Sequence, residues 1–164
     1  VDPARENLAD RAARAARSLK KGGAPNLRYV ISAVESLPSP LTHIATTVSI
    51  FFPWASLLKG ILHGVSETLD GLRQLMQKDA QLELLLNTSL YSDDQLLDKL
   101  SLPTLDEHLL QTHLLPQLRA HGFYAPEAKL IPNPSLPHRT SWGRRLAAAH
   151  PDGSTWWIRA KAAS

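Results

Sequence analysis

The sequence predicts an α/β fold, and three observations carry that expectation. Segments of helical periodicity alternate with short apolar or β-branched runs over most of the 164 residues. Glycine and proline punctuate the joints, at Gly22-Gly23-Ala24-Pro25, at Ser36-Leu37-Pro38-Ser39-Pro40, and at Pro132, Pro134 and Pro137. The composition, 43% hydrophobic and 20% charged, is that of one globular domain, and no stretch nears the roughly 18 to 20 apolar residues of a membrane span.

Glu6 to Lys21 reads as a helix, with Leu8, Ala12, Ala15, Ala16 and Leu19 on one face and the Gly-Gly-Ala-Pro run as its stop. Leu27 to Ala33 is β-branched and aromatic and reads as a strand. Thr46 to Phe52 reads as a second strand, apolar enough to be expected central and buried. After Pro53-Trp54 the helical pattern returns through Leu57, Leu58, Ile61 and Leu62, then again from Ser66 to Gln77. Ala80 to Asn87 follows a helix and is placed as a third strand, and Ser92 to Leu100 is loosely helical. Leu105 to His121 is a better helix that Pro116 should kink or divide. Phe123 to Ile131 and Ser154 to Lys161 close the chain as two strands. A single domain, 1–164, is expected, with a variable helical insertion over about 88–122. An alternating fold normally opens with a strand and a glycine-rich turn. Here the opening is a helix, and Val1-Asp2 reads as the end of a strand that has been cut.

Charge is distributed unevenly. Residues 1–28 hold seven basic against three acidic side chains, and residues 139–164 five against one, so both ends carry +4. With a net charge of +3, the middle carries −5. Such a division of sign suits a polyanionic partner, although ordinary solvated charge explains it equally well. The chain has no cysteine, which excludes disulfides and thiolate metal sites and fits a reducing cytoplasm. The closest histidines, His108 and His113, are five apart, where a zinc-binding helix needs a spacing of four with a glutamate between, so no metal is expected. Val1 to Arg5 lacks the basic and apolar regions of a signal peptide.

Four groups of residues could carry chemistry. Asp2, at a strand end, is placed to bind ribose hydroxyls, or else is the N-cap of the helix that Pro3 opens. Phe51-Phe52-Pro53-Trp54 ends the second strand, where ligands bind in open α/β sheets, with core packing of Trp54 as the alternative. Enzymes that methylate amino groups of bases place an Asp or Asn before such a proline–aromatic turn. Phenylalanine here offers an exocyclic amine nothing, while a ring nitrogen with a free lone pair needs no acceptor. Thr140-Ser141-Trp142-Gly143-Arg144-Arg145 combines an aromatic with two arginines, as base-stacking and phosphate-holding sites do, or it is a surface turn. Arg11, Arg14, Arg17, Lys20 and Lys21 lie broadly along one side of the first helix and could track a phosphate backbone, or form a solvated face. Trp156 and Trp157, inside a strand, read as core.

In order and spacing, V-D-P-A-R-E-N-L (1–8), K-G-G-A-P-N-L (21–27), A-V-E-S-L-P (33–38), F-P-W-A-S-L-L (52–58) and T-S-W-G-R-R-L (140–146) resemble the 16S ribosomal RNA adenine-N1 methyltransferases that confer kanamycin–apramycin resistance. The match runs along nearly the whole chain and is loose over 88–138. It implies a class I S-adenosylmethionine-dependent methyltransferase sheet, Rossmann-like and flanked by helices, here lacking the first strand and the acidic glycine-rich loop. The resemblance gives Asp2 and Pro3 to the cofactor ribose, Val34 and Glu35 to its adenine, and Phe51, Ser56 and Thr140 to the rest of that pocket. Trp54 and Trp142 would sandwich a flipped adenine-1408 of the decoding site, whose N1 attacks the sulfonium methyl without a general base. Arg11, Arg14, Arg17, Lys20, Lys21, Arg144 and Arg145 would grip 16S rRNA in the 30S subunit. His150-Pro151-Asp152-Gly153 stands where relatives continue with arginines, which weakens or reroutes the grip there. A cytoplasmic, monomeric enzyme without metal is expected. The rivals are a methyltransferase of another RNA or of a small molecule, and a non-catalytic RNA-binding remnant of the same fold.

Overall fold

The computed structural model describes residues 5–88, 101–138 and 140–163. The longest strand, β2 (Met76–Asn87), organises it. Leu82, Leu84 and Leu86 alternate with Gln81, Glu83 and Leu85, so successive side chains point to opposite faces of the sheet. β2 pairs in parallel with β1 (Ala45–Phe51) and antiparallel with β4 (Ser154–Ala162), which in turn pairs antiparallel with β3 (Phe123–Pro132). The strand order is therefore β1-β2-β4-β3. Leu82 faces Ala160, Leu84 faces Ile158 and Leu86 faces Trp156 across the β2–β4 ladder, and these residues form one apolar face.

Onto that face pack α2 (Ala55–His63) through Leu58, Ile61 and Leu62, and α3 (Ser66–Leu75) through Leu69 and Leu72. Gly60 and Thr68 allow the two helices to meet closely, because a Cβ at Gly60 would fall 2.3 Å from the Thr68 hydroxyl. The connection from β2 to β3 contributes a helical stretch that opens at α4 (Glu107–Leu109), whose N-cap Asp106 accepts from the Leu109 N–H at 2.7 Å. It then widens into a π-helical segment, Leu110–Leu114, before α5 (Leu115–Ala120). Pro116 explains the widening. Its ring has no N–H to give and would crowd the carbonyl four residues back, and the Leu115 N–H reaches five residues back to Leu110 instead. Leu110, Leu114, Leu115 and Leu118 complete the core. The expected kink is thus a π-bulge.

Several sequence expectations need correction. The first helix, α1 (Arg5–Ala15), stops six residues earlier than its periodicity suggests; a separate 3-10 turn, Leu19–Lys21, follows. The chain folds straight back there, with the Ala24 N–H on the Ala15 carbonyl and Gly23 against Arg17, where a Cβ would overlap the carbonyl oxygen. Leu27–Ala33 is not a strand: Ile31 makes a single bridge and much of the segment is exposed. β propensity gives a pleated backbone only where a neighbour supplies a ladder. β1 is an edge strand among the described residues rather than a central one, and Thr46, Thr47 and Ser49 are exposed on it. α3 gives way to β2 at Met76, so Gln77 is in the strand. The loosely helical Ser92 to Leu100 lies outside the described residues. The two closing strands, by contrast, stand within one residue of their expected bounds.

Candidate functional site

At the carboxyl end of β1 the chain makes a strained turn. Phe52 and Ala55 both adopt positive φ, 57° and 47°, on either side of Pro53-Trp54. For an aromatic residue this is an outlier, and such strain persists where the surroundings over-determine it. The Phe52 N–H still closes the ladder on Leu85 at 2.9 Å, Pro53 is buried, and Trp54 becomes the N-cap of α2 with 53% of its surface exposed. Opposite it, α6 (Ser141–Ala149) begins at Thr140, whose hydroxyl accepts from the Gly143 N–H at 2.9 Å. This cap fixes the first turn of α6 and displays Trp142, 54% exposed. Phe52, Pro53, Trp54, Leu58, Leu86, Asn87 and Trp142 line one cavity of about 270 Å³. Two tryptophans 88 residues apart in sequence thus meet at one opening. The exposure of Trp54 sets aside its core alternative.

The Val34–Ser36 turn is built into α3. A Cβ on Gly71 would lie 2.0 Å from the Val34 carbonyl oxygen, so only glycine lets the turn seat there. Thr68 donates its hydroxyl to Glu35 Oε1 at 2.8 Å, holding the exposed carboxylate in one orientation. Ser56 is exposed in the first turn of α2, and Phe51 is half-buried and stacks on His138. Thr140 is half-buried, its hydroxyl engaged as the cap. Asp2 and Pro3 lie outside the described residues.

The basic residues divide into two groups. Arg11 and Arg14 are exposed on α1, whereas Arg17, Lys20 and Lys21 follow its end, in the fold-back and its 3-10 turn, all exposed. They therefore do not form the single helical row that their spacing suggests. Arg144 and Arg145 are exposed on α6, separated from Trp142 by Gly143. The His150-Pro151-Asp152-Gly153 segment is a turn tied to buried Asn133, whose amide donates to the His150 carbonyl at 3.0 Å and whose N–H binds the Gly153 carbonyl at 2.9 Å. It serves to anchor the carboxyl end of α6. Among the described residues no cluster of histidine and acidic side chains could hold a metal ion, and no helix is long and apolar enough to cross a membrane.

Sequence reasoning missed Asn87, buried at the end of β2 and the one polar residue of the seven that line the cavity. Its strand position was legible, but its proximity to Trp142 depends on a contact between distant segments. It also assigned Trp157 to the core. Trp156 is buried there, but Trp157 points to the other face, where its indole N–H donates to Glu83 at 2.7 Å and Arg159 lies 4.4 Å over its ring.

The crystal structure of the 16S rRNA (adenine(1408)-N(1))-methyltransferase from Catenulisporales acidiphilia matches with a TM-score of 0.85 at 35% identity, over 99% of this chain and 75% of that one. A mutant of that enzyme solved with its cosubstrate SAM matches at 0.80 and 31% identity, covering 99% of this chain and 71% of the other. The aminoglycoside resistance methyltransferase NpmB1 matches at 0.81 and 32% identity, covering 98% of this chain and 73% of the other. The class is therefore that of the α/β methyltransferases. Within it, the profile of the NpmA family, described as 16S rRNA (adenine(1408)-N(1))-methyltransferase, matches residues 1–161. An Escherichia coli protein of that description is 32% identical over 149 residues, 90% of this chain and 68% of its own length. The chain belongs to the 16S rRNA (adenine(1408)-N(1))-methyltransferase family.

Proposed function

We propose that this chain belongs to an enzyme that methylates N1 of adenine-1408 in 16S rRNA of the 30S subunit, acting as a cytoplasmic monomer and conferring aminoglycoside resistance. The observation that carries the reading is the cavity between Trp54 and Trp142 at the carboxyl ends of β1 and β2. Taking a base out of its stack costs a few kcal/mol. Stacking on aromatic faces returns about 1–3 kcal/mol per base, so two tryptophan walls can offset that cost. Adenine N1 has a free lone pair and its methylation needs no proton removed first, which agrees with a cavity lined by apolar groups and one amide. Positioning is then the main contribution of these residues.

S-adenosylmethionine supplies, when bound, an electrophilic methyl on a sulfonium. The residues present fit its nucleoside half. Val34 and Glu35 are held rigidly against α3, Glu35 presents an oriented carboxylate, and Ser56 an exposed hydroxyl. Phe51 and Thr140 stand near the strand end and the α6 cap, and Asp2 with Pro3 completes the assignment on sequence. The exposed Arg11, Arg14, Arg17, Lys20 and Lys21, with Arg144 and Arg145 beside Trp142, would meet RNA phosphates.

The test is transfer of labelled methyl to 30S subunits by protein from the whole reading frame, with the modified nucleotide mapped by primer extension. A stop at adenine-1408 is expected. A well-folded protein that modifies another RNA or a small molecule, or transfers nothing, would leave one of the rival classes instead. Trp54→Ala and Trp142→Ala should each lower transfer by about fivefold to a hundredfold, one stacking wall being worth about 1–3 kcal/mol, with cofactor affinity retained.

A further inference from the structure

The sheet face opposite the core carries a polar linkage at Glu83. Its carboxylate, 15% exposed, accepts the Trp157 indole N–H, and His138 Nε2 lies 2.8 Å from Oε1 and 2.9 Å from Oε2. An ionised carboxylate only accepts, so Nε2 donates in this contact. The same imidazole stacks on Phe51, with ring centroids 4.6 Å apart and planes inclined by 23°. Its backbone carbonyl accepts the Thr140 N–H at 3.0 Å. Phe51 leads directly into Phe52-Pro53-Trp54, and Thr140 caps the helix turn that displays Trp142. One residue therefore joins β2, the strand end before Trp54, and the loop before Trp142. Neighbouring Arg159 is occupied otherwise, over the Trp157 ring and paired with Glu127 at 2.6 Å.

We propose that His138 is a positioning residue that sets the spacing of the two tryptophan walls, with Glu83 as its anchor. It acts through Phe51 on one and through the Thr140 cap on the other, so that the cavity mouth is held open at a fixed width in the free protein. The inference rests on the reading of Trp54 and Trp142 as the walls that hold the base.

The experiment compares His138→Ala, His138→Gln and Trp54→Ala in protein from the whole reading frame, by steady-state methylation of 30S subunits and by 19F NMR of 5-fluorotryptophan-labelled protein. His138→Ala should lower kcat by about tenfold or more, since displacement of a reacting group by about 1 Å can cost a hundredfold. KM for the cofactor should change by less than kcat does, because the Val34–Glu35 side of that pocket is held separately on α3. The Trp54 and Trp142 resonances should shift together, while that of Trp156, in the core on the other face of the sheet, stays. His138→Gln retains a donor near the Nε2 position and should recover much of kcat. Wild-type kcat with unmoved Trp54 and Trp142 resonances in His138→Ala would overturn the proposal. So would a loss that displaces Trp156 equally and that glutamine does not recover, because that pattern marks a general role in the fold. If Trp54→Ala is fully active, the base-clamp reading itself fails. If Trp54→Ala is inactive and His138→Ala is normal, only the positioning role fails.

Discussion

Replacing Gly71 by alanine tests how the nucleoside side of the site is held. The added Cβ would stand 2.0 Å from the Val34 carbonyl oxygen and 2.8 Å from its carbon, both backbone atoms that no rotamer change can move. The oxygen approach is short of ordinary van der Waals distance by about 1.4 Å, so α3 and the Val34–Ser36 turn must part by about that much. Two effects oppose each other. Alanine favours a helix over glycine by about 1 kcal/mol. Overpacking of a seated contact costs about 1–3 kcal/mol, and a clash with fixed backbone falls at the upper end. The net is a loss of about 1–2 kcal/mol, seen as a fall in Tm of about 2–8 °C for a domain of this size. The displaced turn also carries Glu35 away from Thr68, so cofactor affinity measured by calorimetry should drop about tenfold or more, or about 1.4 kcal/mol. Thr68→Val is the companion variant. It keeps the volume, removes the hydroxyl donor to Glu35, and should cost about 1 kcal/mol of stability. A higher Tm for Gly71→Ala with unchanged affinity would refute the reasoning, because the helix-propensity gain would then stand unopposed.

Other outcomes follow from the same geometry. Arg14→Glu with Arg17→Glu should weaken binding to 30S subunits and flatten its salt dependence, by roughly one unit of log–log slope for each phosphate that is no longer neutralised; an unchanged slope in a salt titration would remove α1 and its fold-back from the interface. Leu84→Ala, at the centre of the core, should destabilise by about 2–5 kcal/mol in denaturant unfolding without changing the site directly. The Tyr124 hydroxyl donates to Asp79 Oδ1 at 2.7 Å. That bond first, then desolvation and the charge of Asp79, raise the phenol above its ordinary value. A raised phenol pKa means the contribution is present below the ordinary tyrosine range and is lost as pH rises through the folded-state value. Asp79→Asn should therefore bring the Tyr124 phenolate absorbance transition back to lower pH, with Tyr124→Phe identifying which tyrosine titrates.

Local chemistry made much of this protein legible without a structure. The leucine periodicity of α2 and α3 and the apolar β2 and β4 runs fall where the pattern places them, because burial of one face dictates that pattern. Trp54 stood out because proline ends a strand ladder and leaves the next aromatic displayed. Trp142 stood out because two arginines follow it closely. Where the reading failed, the missing quantity was always a neighbour. Leu27–Ala33 has strand-forming side chains, but a strand also needs a ladder partner, which no periodicity records. α1 ends at Ala15 because the backbone turns back on itself through Gly23, although its alanine-rich pattern continues.

By itself, then, the sequence determined the alternation of helix and strand, the apolar periodicity of α2, α3 and β2, Trp54 and Trp142 as candidate site residues, and the family resemblance. All of these follow from interactions within a few residues or from motif order. Tertiary structure alone decided that Trp54 and Trp142 share one cavity with Asn87 and that Gly71 seats the Val34 turn. It alone also brought His138 onto both Glu83 and Phe51. Those contacts join segments separated by tens of residues, and their formation depends on how the sheet and helices close on one core, which short-range periodicity does not encode.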